Sequence, residues 1–253
     1  MSNSDVTIQF LGHAAFSISV KGFVILIDPW LNNPKAPEGA IDTLTKVDVI
    51  LISHGHFDHV GDAAMLAKKF KAQVYCIHEV SFYLKGEGVA DEQIVGMNIG
   101  GTADLGNGCQ ATMTQAVHSG GCGSEHPLQV GGAAAGWVVH LPNGHRIYHS
   151  GDTDVFGDMK VISDLYSPDV ALLSIGDHYT MGPRGAAYAI NNLLKSVNIV
   201  VPMHFGTFPL LAGTPAELKK LVTSKTVNVC ELKPGETLDL PGRSVGEALS
   251  ALH

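Results

Sequence analysis

The stretch Ser53-His54-Gly55-His56-Phe57-Asp58-His59 constrains this chain more than any other feature. It places three imidazoles and a carboxylate within six residues, directly after the apolar run Val49-Ile50-Leu51-Ile52. That run is continuous, rich in β-branched residues and too short for a helix, so it reads as a buried strand. A chain that leaves such a strand and at once presents His-x-His-x-Asp-His presents metal ligands at the strand's C-terminal end. Imidazole and carboxylate together suit zinc, and also iron or manganese. Alternate residues of a tight loop can aim at one ion while the next pair aims at a neighbour.

The surrounding pattern sets this loop in a layered α/β domain. Strands are expected over residues 6–10, 15–20 and 23–27, then over 73–77, 111–117, 137–141, 146–149, 170–175, 199–203 and 227–232. Helices are expected over 62–70, 80–85, 156–165, 185–195 and 216–222. The glycine-rich segment 120–136, which carries Ser124 and His126, reads as a loop able to fold over a pocket as a lid. Neither a repeat nor a shift in composition divides the 253 residues, so a single domain over 1–253 is expected. Opening strands, then strand–helix alternation, then the same again point to two β-sheets packed together with helices outside.

Further ligand types recur at strand ends. His118 follows 111–117, Asp152 follows 146–149 and His204 follows 199–203. Open sheets place their sites at such ends, so the agreement is a physical argument. Counting gives a binuclear centre: His54, His56 and His118 on one ion, Asp58, His59 and His204 on the second, and Asp152 bridging. Two ions about 3.5–4 Å apart would share a hydroxide that is available as a nucleophile at neutral pH. Asp58 has the alternative role of a general base that orients water. Asp28, at the end of the third strand, is suited to orienting a ligand histidine. Phe57, between ligands, fits a pocket wall, while Phe205 and Phe208 fit the core equally well. His78, His140, His145, His149 and His253 read as ordinary side chains.

These residues together resemble the metallo-β-lactamase superfamily, from Leu11-Gly12-His13 to about Glu231. Ile27-Asp28-Pro29, Gly151-Asp152-Thr153-Asp154, Gly176-Asp177-His178-Tyr179 and Pro202-Met203-His204-Phe205 resemble, within it, the metal-dependent hydrolase family similar to L-ascorbate-6-phosphate lactonases. The resemblance implies the αββα four-layer sandwich, hydrolase chemistry and a homo-oligomer. It also implies that His13 lines the pocket. His178 follows the strand over 170–175 and could donate a proton or bind a substrate oxyanion. His13, Asp58 and His178 are therefore the candidate catalytic residues.

Composition narrows the partners. The net charge of −8 and a pI near 5.8 disfavour a nucleic-acid backbone, which would call for a basic stripe. No run approaches the ~18 apolar residues of a membrane span. Residues 1–5 carry no cationic n-region leading into an apolar segment, and the four cysteines form no C-x-x-C pair, so a cytoplasmic protein is expected. The reading is a hydrolase with two divalent cations per chain, zinc first and manganese or iron next. It acts on an ester-type bond, a lactone or phosphodiester of a small molecule. The alternatives are β-lactam hydrolysis at the same site, and a non-hydrolytic diiron redox or metal-binding regulatory protein.

Overall fold

Two seven-stranded mixed sheets pack face to face in the computed structural model, which describes residues 6–123 and 127–242. Ser124, His126, His253 and the residues read for a leader lie outside the described residues. The first half of the chain supplies β1 Val6–Phe10, β2 Phe16–Val20, β3 Phe23–Ile27, β4 Val49–Leu51, β5 Gln73–Ile77, β6 Ile94–Met97, β7 Thr102–Gly106 and β8 Cys109–Gln115. The second half supplies β9 Gly121–Cys122, β10 Gln129–Val130, β11 Ala135–His140, β12 Arg146–His149, β13 Val170–Ser174, β14 Ile199–Met203, β15 Asn228–Val229 and β16 Thr237–Leu240. The helices are α1 Ala40–Thr43, α2 Phe57–Val60, α3 Ala63–Phe70, α4 His78–Gly86, α5 Met159–Tyr166, α6 Pro183–Tyr188 and α7 Pro215–Leu221.

One sheet runs β16-β1-β2-β3-β4-β5-β6 and the other β15-β14-β13-β12-β11-β8-β7. Each is antiparallel at one end and parallel at the other, with the switch at β3/β4 and at β12/β13. The parallel halves need crossovers, and those crossovers carry the helices. Burial follows this division. In β1 only Val6, Ile8 and Phe10 are buried while Thr7 and Gln9 are partly open, the alternation of a sheet covered on one face. In β4 every residue is buried, because helices cover its second face.

Period-two alternation in the second sheet separates its two faces. Trp137, Val139, Ile147, Leu172 and Val201 join the core between the sheets, with Ile8, Ile18 and Ile25 from the other sheet. Val138, Tyr148, Ala171, Leu173 and Val200 join a second core with Met159 and Ile162 of α5, Ala186 of α6 and Leu218 of α7. Leu66 of α3 and Leu84 of α4 pack on the first sheet's outer face. The result is the expected αββα sandwich.

Some local expectations change. Residues 185–195 do not form one helix: α6 passes into a π turn over Ala189–Leu193, where the Leu194 N–H bonds the Ala189 carbonyl. Asn191 within that turn binds the Leu221 carbonyl and the Thr223 N–H, tying down the end of α7. Of residues 227–232, only Asn228 and Val229 pair with β14. The chain then leaves for the other sheet, where β16 pairs with β1. The glycine-rich segment is not all loop, because β9 and β10 pair antiparallel. Gly123 bridges His56, and a Cβ on Gly55 would lie 2.4 Å from Cys122 Sγ, so the end of β9 is fastened to the histidine loop.

Candidate metal centre

Six strand ends deliver the site to one edge of the sandwich. His13 follows β1, Asp28 follows β3, His54 to His59 follow β4, His118 follows β8, Asp152 follows β12 and His204 follows β14. The backbone there is held in an unfavourable region, with φ of 56° at His13, 46° at Asp28 and 56° at His204. Left-handed non-glycine residues cost roughly 1–3 kcal/mol each and persist where the surroundings over-determine them. Here the surroundings do so: the His204 N–H bonds the His13 carbonyl at 2.7 Å, and a Cβ on Gly176 would lie 2.1 Å from the His204 carbonyl oxygen.

The seven expected ligands converge. His54, His56 and His118 form one group, and Asp58, His59 and His204 form another that also includes His13. Within each group the nitrogen and oxygen atoms lie within 4.8 Å of one another. Asp152 lies between the groups: its Oδ2 is 2.9 Å from His204 Nε2, 3.3 Å from His59 Nε2 and 3.7 Å from His118 Nε2.

A buried hydrogen-bond network orients these rings. Asp28, fully buried, accepts from the Ser53 N–H at 2.7 Å, from Ser53 Oγ at 2.6 Å and from His59 Nδ1 at 2.8 Å. The Ser53 hydroxyl proton is used on Asp28, so His54 Nδ1 donates to Ser53 Oγ at 2.9 Å. Both histidines thereby carry a proton on Nδ1, which leaves Nε2 as the atom available to a cation. Asp58 accepts at 3.0 Å from His13 Nε2, whose Nδ1 in turn accepts from the Thr207 hydroxyl at 2.9 Å. His13 is thus set to hold Asp58. His149, read as ordinary, is a fully buried brace: Nε2 donates to the Ala14 carbonyl and Nδ1 accepts the Gly151 N–H. Ser53, Thr207 and His149 are the functional partners that sequence reasoning missed. Nothing in their spacing marks them, because they act through contacts far apart in the chain.

The donor set fits divalent cations. His59 Nε2, both ring nitrogens of His204 and Asp152 Oδ1 are buried without a hydrogen-bond partner. His204 Nε2 is close to Asp152 but not aligned to donate to it. Burial without a partner costs ~1–3 kcal/mol per polar group, so such atoms call for an ion. His54 Nε2 and His56 Nδ1 are 2.9 Å apart, a distance at which two lone pairs repel unless a proton or cation lies between them.

Electrostatics divides the groups. Burial pushes the His54, His56 and His118 imidazoles down, keeping them neutral and ready to ligate. Burial also brings His13 down, to about 4, with the nearby His204 adding to the effect. For His59 and His204 burial acts the same way, but Asp152 and its neighbouring carboxylates outweigh it. His59 rises well above its usual range and His204 to about 9. Without a cation, His59 and His204 would favour their protonated forms, and a metal would displace those protons.

His178 stands apart. It is exposed, its ring packs on Tyr179 at 4.6 Å, and its N–H bonds Asp177 Oδ1. Among the described residues it makes no hydrogen bond to the cluster. Its loop is nonetheless fastened to the site through the Met181 N–H on the Thr153 carbonyl. Phe57 is 43% exposed beside Asp58, and Phe208 packs near Trp30, whereas Phe205 belongs to the outer core.

Sandwich, strand-end histidines and shared aspartate together define a class, and comparison with known proteins agrees. The beta-lactamase superfamily domain matches residues 24–205. A UPF0173 metal-dependent hydrolase of Koribacter versatilis is 47% identical over 239 residues, 94% of this chain and 99% of that protein. The metallo hydrolase Igni18 of the hyperthermophilic archaeon Ignicoccus hospitalis is 35% identical with a TM-score of 0.82, covering 94% of this chain and 99% of that one. An isothiocyanate hydrolase from Delia radicum gut bacteria shares the fold at a TM-score of 0.72 and 18% identity, covering 94% of this chain and 100% of that one. The chain belongs to the metallo-β-lactamase superfamily and, within it, to the UPF0173 family of metal-dependent hydrolases. No helix among the described residues is long and apolar enough to cross a membrane.

Proposed function

We propose that this chain hydrolyses an ester-type bond of a small molecule, a lactone or a phosphodiester, using two divalent cations per chain, zinc foremost. His54, His56 and His118 would hold one cation, Asp58, His59 and His204 the other, with Asp152 shared between them. Bound there, such cations supply a hydroxide nucleophile at neutral pH and polarise the bond under attack. The observation that carries this reading is the set of buried, unpartnered donor atoms on His59, His204 and Asp152 facing one space. A donor set of imidazoles and carboxylates without cysteine is catalytic in character, where a structural zinc site is closed and cysteine-rich.

The chain's own residues divide the remaining work. Asp28 and Ser53 hold His59 and His54 in the ligating tautomer. His13 holds the Asp58 carboxylate in place from the side away from solvent. To His178, exposed on the loop that the Met181 N–H ties to Thr153, we assign the stabilisation or protonation of the departing oxygen. The four free thiols suit a reducing compartment.

The test is metal content per chain, followed by turnover of a lactone, phosphodiester and β-lactam panel before and after chelation. Two metals per chain with chelator-sensitive ester hydrolysis is the expected result, and preference for the β-lactam would replace the substrate class. One metal at saturation would refute the two-ion site. His178→Ala is expected to lower kcat/KM about tenfold with unchanged metal content, in keeping with the ~10²–10⁴-fold range for full proton transfer when water can substitute in part.

A further inference from the structure

Three aromatic side chains from three different strand ends meet beside the second ligand group. Trp30 follows β3, Phe57 follows β4 and Phe208 follows β14. Trp30 stacks on Phe208 with ring centroids 5.8 Å apart, and Phe57 stands edge-on to Trp30 at 5.6 Å. His13 connects this group to the ligands: its ring meets Trp30 edge-on at 5.2 Å and Phe208 at 5.7 Å, while its Nε2 bonds Asp58. The aromatic group and the ligand cluster are therefore joined through the buried His13 ring, and Phe57 adjoins Asp58 in the chain. Phe57 is 43% exposed, and Trp30 and Phe208 are only partly covered.

The wall is built, not incidental. The Trp30 carbonyl accepts from Asn33 Nδ2, and the Trp30 N–H bonds the Asp28 carbonyl. The Asp62 carboxylate takes the N–H groups of Leu31 and Asn32 and the Asn32 side chain, fixing the loop that carries the indole. Gly61 makes room for it, since a Cβ there would lie 2.7 Å from the indole. A preorganised aromatic surface loses little entropy on binding. Among the described residues, no lysine or arginine is hydrogen-bonded or ion-paired to the ligand cluster.

We propose that Trp30, Phe57 and Phe208 form an apolar subsite, and that the substrate is an ester or lactone with an alkyl or aryl group next to the scissile carbonyl. This rests on the hydrolase reading above. Apart from the Trp30 indole N–H, the three rings offer the hydroxyls of a polyhydroxylated sugar phosphate no hydrogen-bonding group.

Binding and turnover test it separately. The chain has two tryptophans, and Trp137 is fully buried, so a ligand at the wall changes the emission of Trp30 alone. In metal-free protein, 4-phenylbutyramide is expected to quench that emission saturably, whereas glucose 6-phosphate is not. Removing an apolar contact of this kind weakens binding by roughly tenfold, which is the expected loss in Phe208→Ala and in the exposed-residue variant Phe57→Ser. In metal-loaded protein, kcat/KM should rise along 4-nitrophenyl acetate, butyrate and octanoate, and the rise should flatten in Phe57→Ser. Absence of quenching, or quenching by glucose 6-phosphate instead, would overturn the subsite. Amide binding with no ester turnover would retain the subsite and sink the ester-hydrolase reading.

Discussion

Replacing Asp28 with asparagine tests how the ligand histidines are held. Asp28 accepts three hydrogen bonds, two from Ser53 and one from His59 Nδ1, and is fully buried. Burial opposes its negative charge, yet the adjacent His59 and its hydrogen bond hold the carboxyl below the usual carboxylate range, so it is ionised at neutral pH. Asparagine keeps the shape but offers one acceptor oxygen and two N–H donors. With the oxygen on the Ser53 N–H, the amide NH₂ confronts His59 Nδ1–H and the Ser53 hydroxyl. His59 relieves the conflict by moving its proton to Nε2, the atom that faces the second ligand group.

The magnitude follows from those contacts. Loss of a carboxylate behind a metal-binding histidine costs about 10–100-fold in metal affinity, or roughly 1.4–2.7 kcal/mol. The second group should take most of this, because Asp28 reaches His54 only through Ser53. Zinc titration against a chromophoric competing chelator would show one weakened and one nearly intact site. Aspartate-to-asparagine protein with both affinities within twofold of wild type would refute the reasoning, even if its thermal stability fell.

Other perturbations follow from the same contacts. His204 is raised to about 9, so in metal-free protein it contributes stability that is present below pH 6.5 and lost as pH climbs from there to 9; His13, lowered to about 4, costs stability as pH falls from 6.5 to 4. Metal-free melting temperature should therefore peak near pH 6.5, and metal loading should flatten the alkaline limb; a metal-free profile flat from pH 6.5 to 9 would contradict the His204–Asp152 pairing. His149→Phe leaves the Ala14 carbonyl and Gly151 N–H without partners and should cost about 3 kcal/mol by denaturant unfolding, at ~1–3 kcal/mol per buried group, and weaken metal binding through Asp152. Gly55→Ala drives a methyl to within 2.4 Å of Cys122 Sγ and should cost ~1–3 kcal/mol by overpacking, partly recovered in the double variant with Cys122→Ala.

The sequence alone determined the donor types of the candidate site. His54, His56, Asp58 and His59 are ligand types crowded behind a buried strand, and His118, Asp152 and His204 each follow an apolar run, so the local pattern alone sets each of them at a strand end. Those are local properties of residue type and period. The two-sheet sandwich was legible for the same reason. Tertiary structure decided which rings are held and by what. Asp28 meets Ser53 and His59 across 25 and 31 residues, His149 meets Ala14 across 135, and His13 meets Thr207 across 194. It also drew Trp30, Phe57 and Phe208 into one group and left His178 exposed, outside the hydrogen-bonded cluster. A hydrogen bond between distant residues leaves no periodic trace in a chain, because its geometry exists only once the sheets have packed.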